Sequence, residues 1–147
     1  AQVEEFYGVL PKDLDSDTSA GVIFKVDSSG ANYEELFRFP KTLGGELSNL
    51  TKVSSGSYYG FAGNELIEYN PNSGEVSYLI SFERDSMISD GLLQSGPFVL
   101  MPNNKLYATT ENGGIHQGGV LYSINLDSLI YTKVIEFDYA TIGSNPS

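Results

Sequence analysis

The 147-residue chain contains no cysteine. A disulfide framework, a thiol nucleophile and every thiolate metal site are therefore excluded, and the redox compartment is left open. Tryptophan is also absent and His116 is the single histidine. One histidine cannot make a histidine pair on a metal, and a Ser-His-Asp triad cannot be built without that residue. Basic side chains are scarce, with 8 Lys and Arg against 19 Asp and Glu, and the resulting net charge of -11 repels phosphate backbones and anionic headgroups. Nucleic acid and membrane surfaces are poor partners on that ground. Apolar runs are short: Phe98-Val99-Leu100-Met101 falls far below the about 20 residues that a membrane-crossing helix needs, so membrane insertion is not expected. No Gly-x-Ser-x-Gly elbow occurs, and no stretch keeps a period of 3.6 over a helix length. The chain does not open on a charged and then apolar leader, while Ala1-Gln2 suits a mature terminus left by signal cleavage.

What is present is a recurrence. With 40% apolar residues the chain can fill a core without metals or bridges. Three segments align without gaps: Ile23 to Phe39, Leu66 to Phe82 and Leu121 to Phe137. Each starts as an alternating apolar strand that ends in Asp27, Asn70 or Asn125, and each carries its phenylalanine twelve positions later. The residues between are turn formers, Ser28-Ser29-Gly30, Pro71-Asn72-Ser73-Gly74 and Leu126-Asp127-Ser128, so each segment reads as a β-hairpin. Upstream stands a further strand with aromatic or bulky residues, Phe6-Tyr7-Gly8, Tyr58-Tyr59-Gly60 and Leu106-Tyr107-Ala108. One more apolar stretch, Leu50-Thr51-Lys52-Val53 and Phe98 to Met101, precedes the second and third of these. Tyr33 to Phe39 alternates at period 2 and is read as strand.

The unit is four antiparallel strands. Its spacing, 43 residues from Asp27 to Asn70 and 55 from Asn70 to Asn125, is that of propeller blades. The predicted fold is all-β: a propeller-type array of about three four-stranded blades in one segment over 1–147, with blades at about 4–40, 46–83 and 95–138 and a further repeat or linker over 139–147. The first blade lacks its first strand. Three blades leave the ring incomplete, which implies that further blades of a longer chain, or another copy, complete it. The variation in length falls at one point, between the second and third strands, where Leu10 to Ala20 is long and acidic, Ala62 to Asn64 is tight and Thr109 to Gly118 is rich in glycine. Insertions at a fixed point of a repeat share one rim, where binding concentrates.

These residues resemble the GloVer tandem repeats of secreted and surface-anchored bacterial proteins, which are similar to kelch-type blades. The resemblance is carried by Phe6-Tyr7-Gly8 with Gly21 to Val26, and by Leu106 to Gly114 followed by Gly118-Gly119-Val120-Leu121-Tyr122. It covers nearly the whole chain, although the second copy lacks the glycine-rich connection. It implies a secreted or cell-surface module, without catalysis, that binds protein or glycan or acts as a spacer. The alternative from another class is an extracellular propeller enzyme, a polysaccharide lyase or glycosidase, with active residues partly outside this chain.

Candidate site residues fall in three groups. Asp13, Asp15 and Asp17 stand at alternate positions, the spacing with which calcium loops supply oxygens. An EF-hand would have Gly at Thr18 and Glu at Phe24, so the competing reading is a solvated acidic loop and calcium is the one cofactor to test. Tyr58, Tyr59, Phe61 and Tyr78 could stack on sugar rings, against which stands the packing role of tyrosine in strands, expected above all for Tyr7, Tyr59 and Tyr107. His116 lies in Gly113-Gly114-Ile115-His116-Gln117-Gly118-Gly119, which lacks the Lys and Ser or Thr of a phosphate loop and reads as a strand connection. Tyr58, Tyr78 and His116 are the ligand-binding candidates, and no residue pattern singles out a catalytic group.

Overall fold

A computed structural model describes residues 3–11, 19–43, 47–82, 94–111 and 113–138. They form eleven strands and one short 3-10 turn, Lys41–Leu43. The first sheet holds β1 (Glu5–Leu10), β2 (Ser19–Asp27) and β3 (Glu34–Pro40). The second holds β4 (Thr51–Lys52), β5 (Tyr58–Ala62), β6 (Glu65–Asn70) and β7 (Glu75–Ser81), and the third β8 (Gln94–Met101), β9 (Lys105–Thr110), β10 (Val120–Asn125) and β11 (Tyr131–Glu136). In each sheet, strands adjacent in sequence are adjacent in space. The all-β expectation and the short first sheet are what the structure has, and the segment through Leu36 is strand.

The hairpin turns explain why an Asp or Asn ends each third strand. The Ser29 amide donates to Asp27 Oδ1, the Asn72 amide to Asn70 Oδ1 and the Asp127 amide to Asn125 Oδ1, all at 2.9 Å. A short side-chain acceptor thus fixes the chain reversal in all three sheets. Behind it, Gly74 and Leu129, both in the left-handed region at φ 73 and 56, donate to the carbonyls of Asn70 and Asn125 at 2.8 Å. A second bond ties this turn to the neighbouring one: Ser28 donates to Glu4 at 2.8 Å, and Leu126, its counterpart in the alignment, donates to Asn104 at 3.1 Å. The matching position in the second sheet is Pro71, which has no N–H to give.

Register also explains the small residues of the second strands. Gly8 lies opposite Phe24, Gly60 opposite Ile67 and Ala108 opposite Tyr122. A Cβ on Gly8 would stand 2.7 Å from Phe24 Cζ, so glycine there makes room for a ring that crosses the neighbouring strand. Strict period 2 fails in the outer strands. Ile23 pairs with Phe37 but Phe24 with Glu35, which leaves Leu36 as an extra residue, and Leu121 pairs with Ile135 but Tyr122 with Lys133, which leaves Val134 extra. Both are β-bulges at the same alignment position, and a bulge adds one residue that alternation alone does not reveal.

The chain divides into two compact units, Ala1–Tyr78 and Leu79–Ser147. In the first, Ile23 and Phe39 of the first sheet pack with Ala62, Ile67 and Tyr69 of the second, flanked by Tyr7, Val9 and Phe37. Full burial of residues such as Phe39 and Ile23 contributes about 2 kcal/mol each. The Leu47 amide donates to the Ala20 carbonyl at 3.2 Å, and Leu47 forms a bridge with Ala62, so the backbone there touches both sheets. In the second unit Leu106, Val120, Tyr122 and Ile124 are buried, and Phe82 packs on Tyr122 and Tyr131 with centroids at 6.3 Å. Phe39 and Phe82 are buried while Phe137 is half-buried, although Phe39 lies opposite Gly21 and Phe137 donates to the matching Gly119.

Candidate functional site

The connection from β9 to β10 is a built loop. The Val120 amide donates to Thr110 Oγ1 at 3.0 Å, which closes the strands at its base. Above, the Gly119 amide donates to the Gly113 carbonyl at 3.1 Å, and the Gln117 amide and its Nε2 both donate to the Gly114 carbonyl at 3.2 Å. Gly113, Gly114 and Gly119 all have positive φ, and Gly118 lies so close to the Phe137 carbonyl that a Cβ would collide with it. The glycines therefore let the loop fold back against the end of β11. The result is a tip, Ile115-His116-Gln117, that stands clear of the sheet, with Ile115 79% exposed.

A second cluster lies in the first unit. The Tyr58 ring stacks on Tyr7 with centroids at 5.0 Å and lies 6.5 Å from Tyr69, while Lys52 Nζ sits 5.8 Å from the Tyr58 centroid. Beside it Lys25 Nζ is 3.1 Å from Glu34 and 3.6 Å from Glu5. Tyr58 is thus half-buried with its ring against another ring, and Tyr59 and Phe61 are buried. Tyr7 takes the packing role expected of it. Tyr78 is exposed on β7 of the same unit, and His116 is exposed at the loop tip of the other. Asp13, Asp15 and Asp17 lie outside the described residues. Among the described residues no group of three or more His, Asp or Glu is placed to hold a metal ion, and no helix is long and apolar enough to cross a membrane.

No protein-family model matches the chain, and no curated protein matches it. Among solved structures it is similar to TolB from Acinetobacter baumannii, with a TM-score of 0.59 and 10% identity over 90% of this chain. The fold is of the β-propeller type. The chain spans 30% of the length of that TolB chain, and the likeness is one of fold.

The electrostatics of the tyrosine cluster set its chemistry. Hydrogen bonding to Glu34, then the charges of Glu34 and Glu5, raise the Lys25 pKa and keep the ammonium charged. Burial, then the neighbouring Tyr7, raises the Tyr58 and Tyr69 hydroxyls, and burial with Glu65 raises Tyr78. Groups moved this way donate hydrogen bonds and do not serve as bases near neutral pH. The Glu5, Lys25 and Glu34 grouping was missed in the sequence, although the hairpin register that sets Lys25 opposite Tyr7 and Glu34 carries it.

Proposed function

We propose that this chain is a tandem-repeat portion of a β-propeller, exported to the cell surface or beyond, that binds a protein or glycan through the rim loop between β9 and β10 without catalysing a reaction. The observation that carries the reading is the loop itself: glycines and three backbone-directed hydrogen bonds hold Ile115, His116 and Gln117 out from the sheet. A frame of that kind pre-organises a contact surface, and pre-organisation lowers the ordering cost of association. The likeness to a β-propeller supports the blade reading, and the recurrence of the 2.9 Å Asp or Asn turn bond in all three sheets supports the repeat.

The test is a glycan-array and surface-protein binding screen, with and without calcium, of the chain and of Ile115→Asp and His116→Ala variants. Binding that falls at least tenfold in the loop variants supports the reading. Binding that they leave untouched moves the site elsewhere, calcium dependence assigns it to the Asp13, Asp15 and Asp17 segment, and no binding leaves the spacer role.

A further inference from the structure

We infer that Tyr7 and Tyr58 are a cross-linking site: under one-electron oxidation their rings join as a dityrosine that ties the first sheet covalently to the second. Both residues lie within the compact unit Ala1–Tyr78.

The side chains that give up single electrons most readily are those of cysteine, tryptophan and tyrosine. This chain has neither of the first two and has 10 tyrosines, so oxidising equivalents settle on tyrosine. What a tyrosyl radical then does depends on whether a second one is held against it. Tyr7 stands on β1 and Tyr58 on β5, and the packing of the two sheets brings their rings to 5.0 Å between centroids with planes 30° apart. Rings stacked at that separation touch. Tyr69 is farther from both, at 6.4 Å from Tyr7 and 6.5 Å from Tyr58, and more steeply tilted. The hydroxyl ends gather with the rings. Burial raises the Tyr58 hydroxyl, and the charge of Tyr7 raises it further. Such coupling falls off with distance, so the two hydroxyls lie near each other, and with them the neighbouring ring carbons that a dityrosine joins.

The step balances as follows. Each phenol loses one electron and one proton. The Tyr7 hydroxyl donates to Glu5 Oε2 at 3.5 Å, so its proton has a carboxylate to go to, and half-buried Tyr58 gives its own to water. The two radicals form a carbon–carbon bond between the Cε positions beside the hydroxyls. As the rings regain aromaticity, the hydrogens on those carbons are replaced by hydrogens on the oxygens. The co-reactant is a peroxidase-type oxidant: one hydrogen peroxide takes up two electrons and two protons and leaves as two waters. The protein ends two hydrogen atoms lighter.

Tyr122 and Tyr131 of the other unit provide an internal comparison. Their rings are as close, 5.2 Å apart with planes at 31°, but Tyr122 is 3% exposed and burial holds its proton in place. A phenol that cannot shed its proton resists one-electron oxidation, so this pair stays unlinked. In a chain without disulfides the Tyr7 to Tyr58 bond takes over their role, since a bridge between such distant positions restricts the unfolded chain.

The test treats the chain, dilute enough to stay monomeric, with a haem peroxidase and hydrogen peroxide, and reads dityrosine fluorescence, intact mass and the linked peptides after proteolysis. The expected product is a monomer two hydrogens lighter, linked from Tyr7 to Tyr58, with a thermal midpoint at least about 5 °C above that of the untreated chain. Tyr7→Phe and Tyr58→Phe keep the rings and lower the yield of intramolecular dityrosine at least tenfold, while Tyr69→Phe leaves it unchanged; circular dichroism checks that each variant is folded. A treated monomer without the link, a bond from Tyr122 to Tyr131 in its place, or a yield that survives Tyr7→Phe in a folded variant overturns the inference.

Discussion

The turn after the third strand and the connection before it, only one strand apart in each sheet, have opposite histories. After β2, β6 and β10 the chain reverses in one way, with an Asp or Asn oxygen accepting the amide two residues on. Before them it passes in turn through the segment 11–18, the two residues Gly63-Asn64, and the nine residues Glu111 to Gly119. The turn is bonded into its own sheet and the long connection raises an exposed tip, so the first kind of segment holds the fold and the second is left to vary.

That contrast can be broken most sharply at the single residue of the long connection that belongs to the fold. Gly118→Ala drives a methyl into the Phe137 backbone carbonyl, which cannot swing aside as a side chain would. A loss of about 2 kcal/mol is expected in denaturant unfolding, and an unchanged midpoint would mean the loop is not seated on β11. The next effect compares two turns. Leu129 holds φ 56 where the matching residue of the second sheet is Gly74 at φ 73. Leu129→Gly is expected to stabilise by about 1 kcal/mol and Gly74→Leu to destabilise by a similar amount, read as opposite shifts of the thermal midpoint. The smallest change at neutral pH concerns Asp27, the one acid among the three strand-ending acceptors.

Asp27 accepts from Ser29, Ala31 and Asn32, and the Ser29 hydroxyl is the foremost of several partners that hold its pKa below the usual carboxylate value. A group whose folded pKa is depressed contributes stability that is present above its unfolded value, about 3.9, and lost as the pH falls through the folded one. Asp27→Asn is therefore expected to lower stability slightly near pH 7, where the ionised carboxylate contributes, and to flatten the acid limb of the stability curve. Equal acid limbs in variant and parent, measured by thermal melts across the acid range, would show that the first turn is no more pH-sensitive than those built on Asn70 and Asn125.

Much of the fold was legible because turn chemistry is local. Strand ends at Asp27, Asn70 and Asn125 and the short first sheet follow from residues that act on their own neighbours. The bulges at Leu36 and Val134 were not legible, because an extra residue is defined by the partner strand and not by the strand that carries it. Tyr58 was set among the sugar-stacking candidates since alternation tells which residues share a face but not which face meets another sheet, and its ring lies on Tyr7. His116 was legible as a loop residue. That Ile115 beside it is the more exposed of the sheet-free apolar groups was hidden, since glycine content foretells a turn and not the direction in which it lifts its tip.

The irregular borders of the sheets bear on how this protein fails. β3 and β11 each carry a bulge, β8 shifts register between Ser95 and Val99, and β4 is two residues long. Borders of that shape cannot zip to a flat intruder, so they guard against fibrils. β1 is different: it runs from Glu5 to Leu10 against β2 without a break, and its other side pairs with no strand of its sheet. Under stress, cross-β growth has a doorway there, at Phe6-Tyr7-Gly8-Val9.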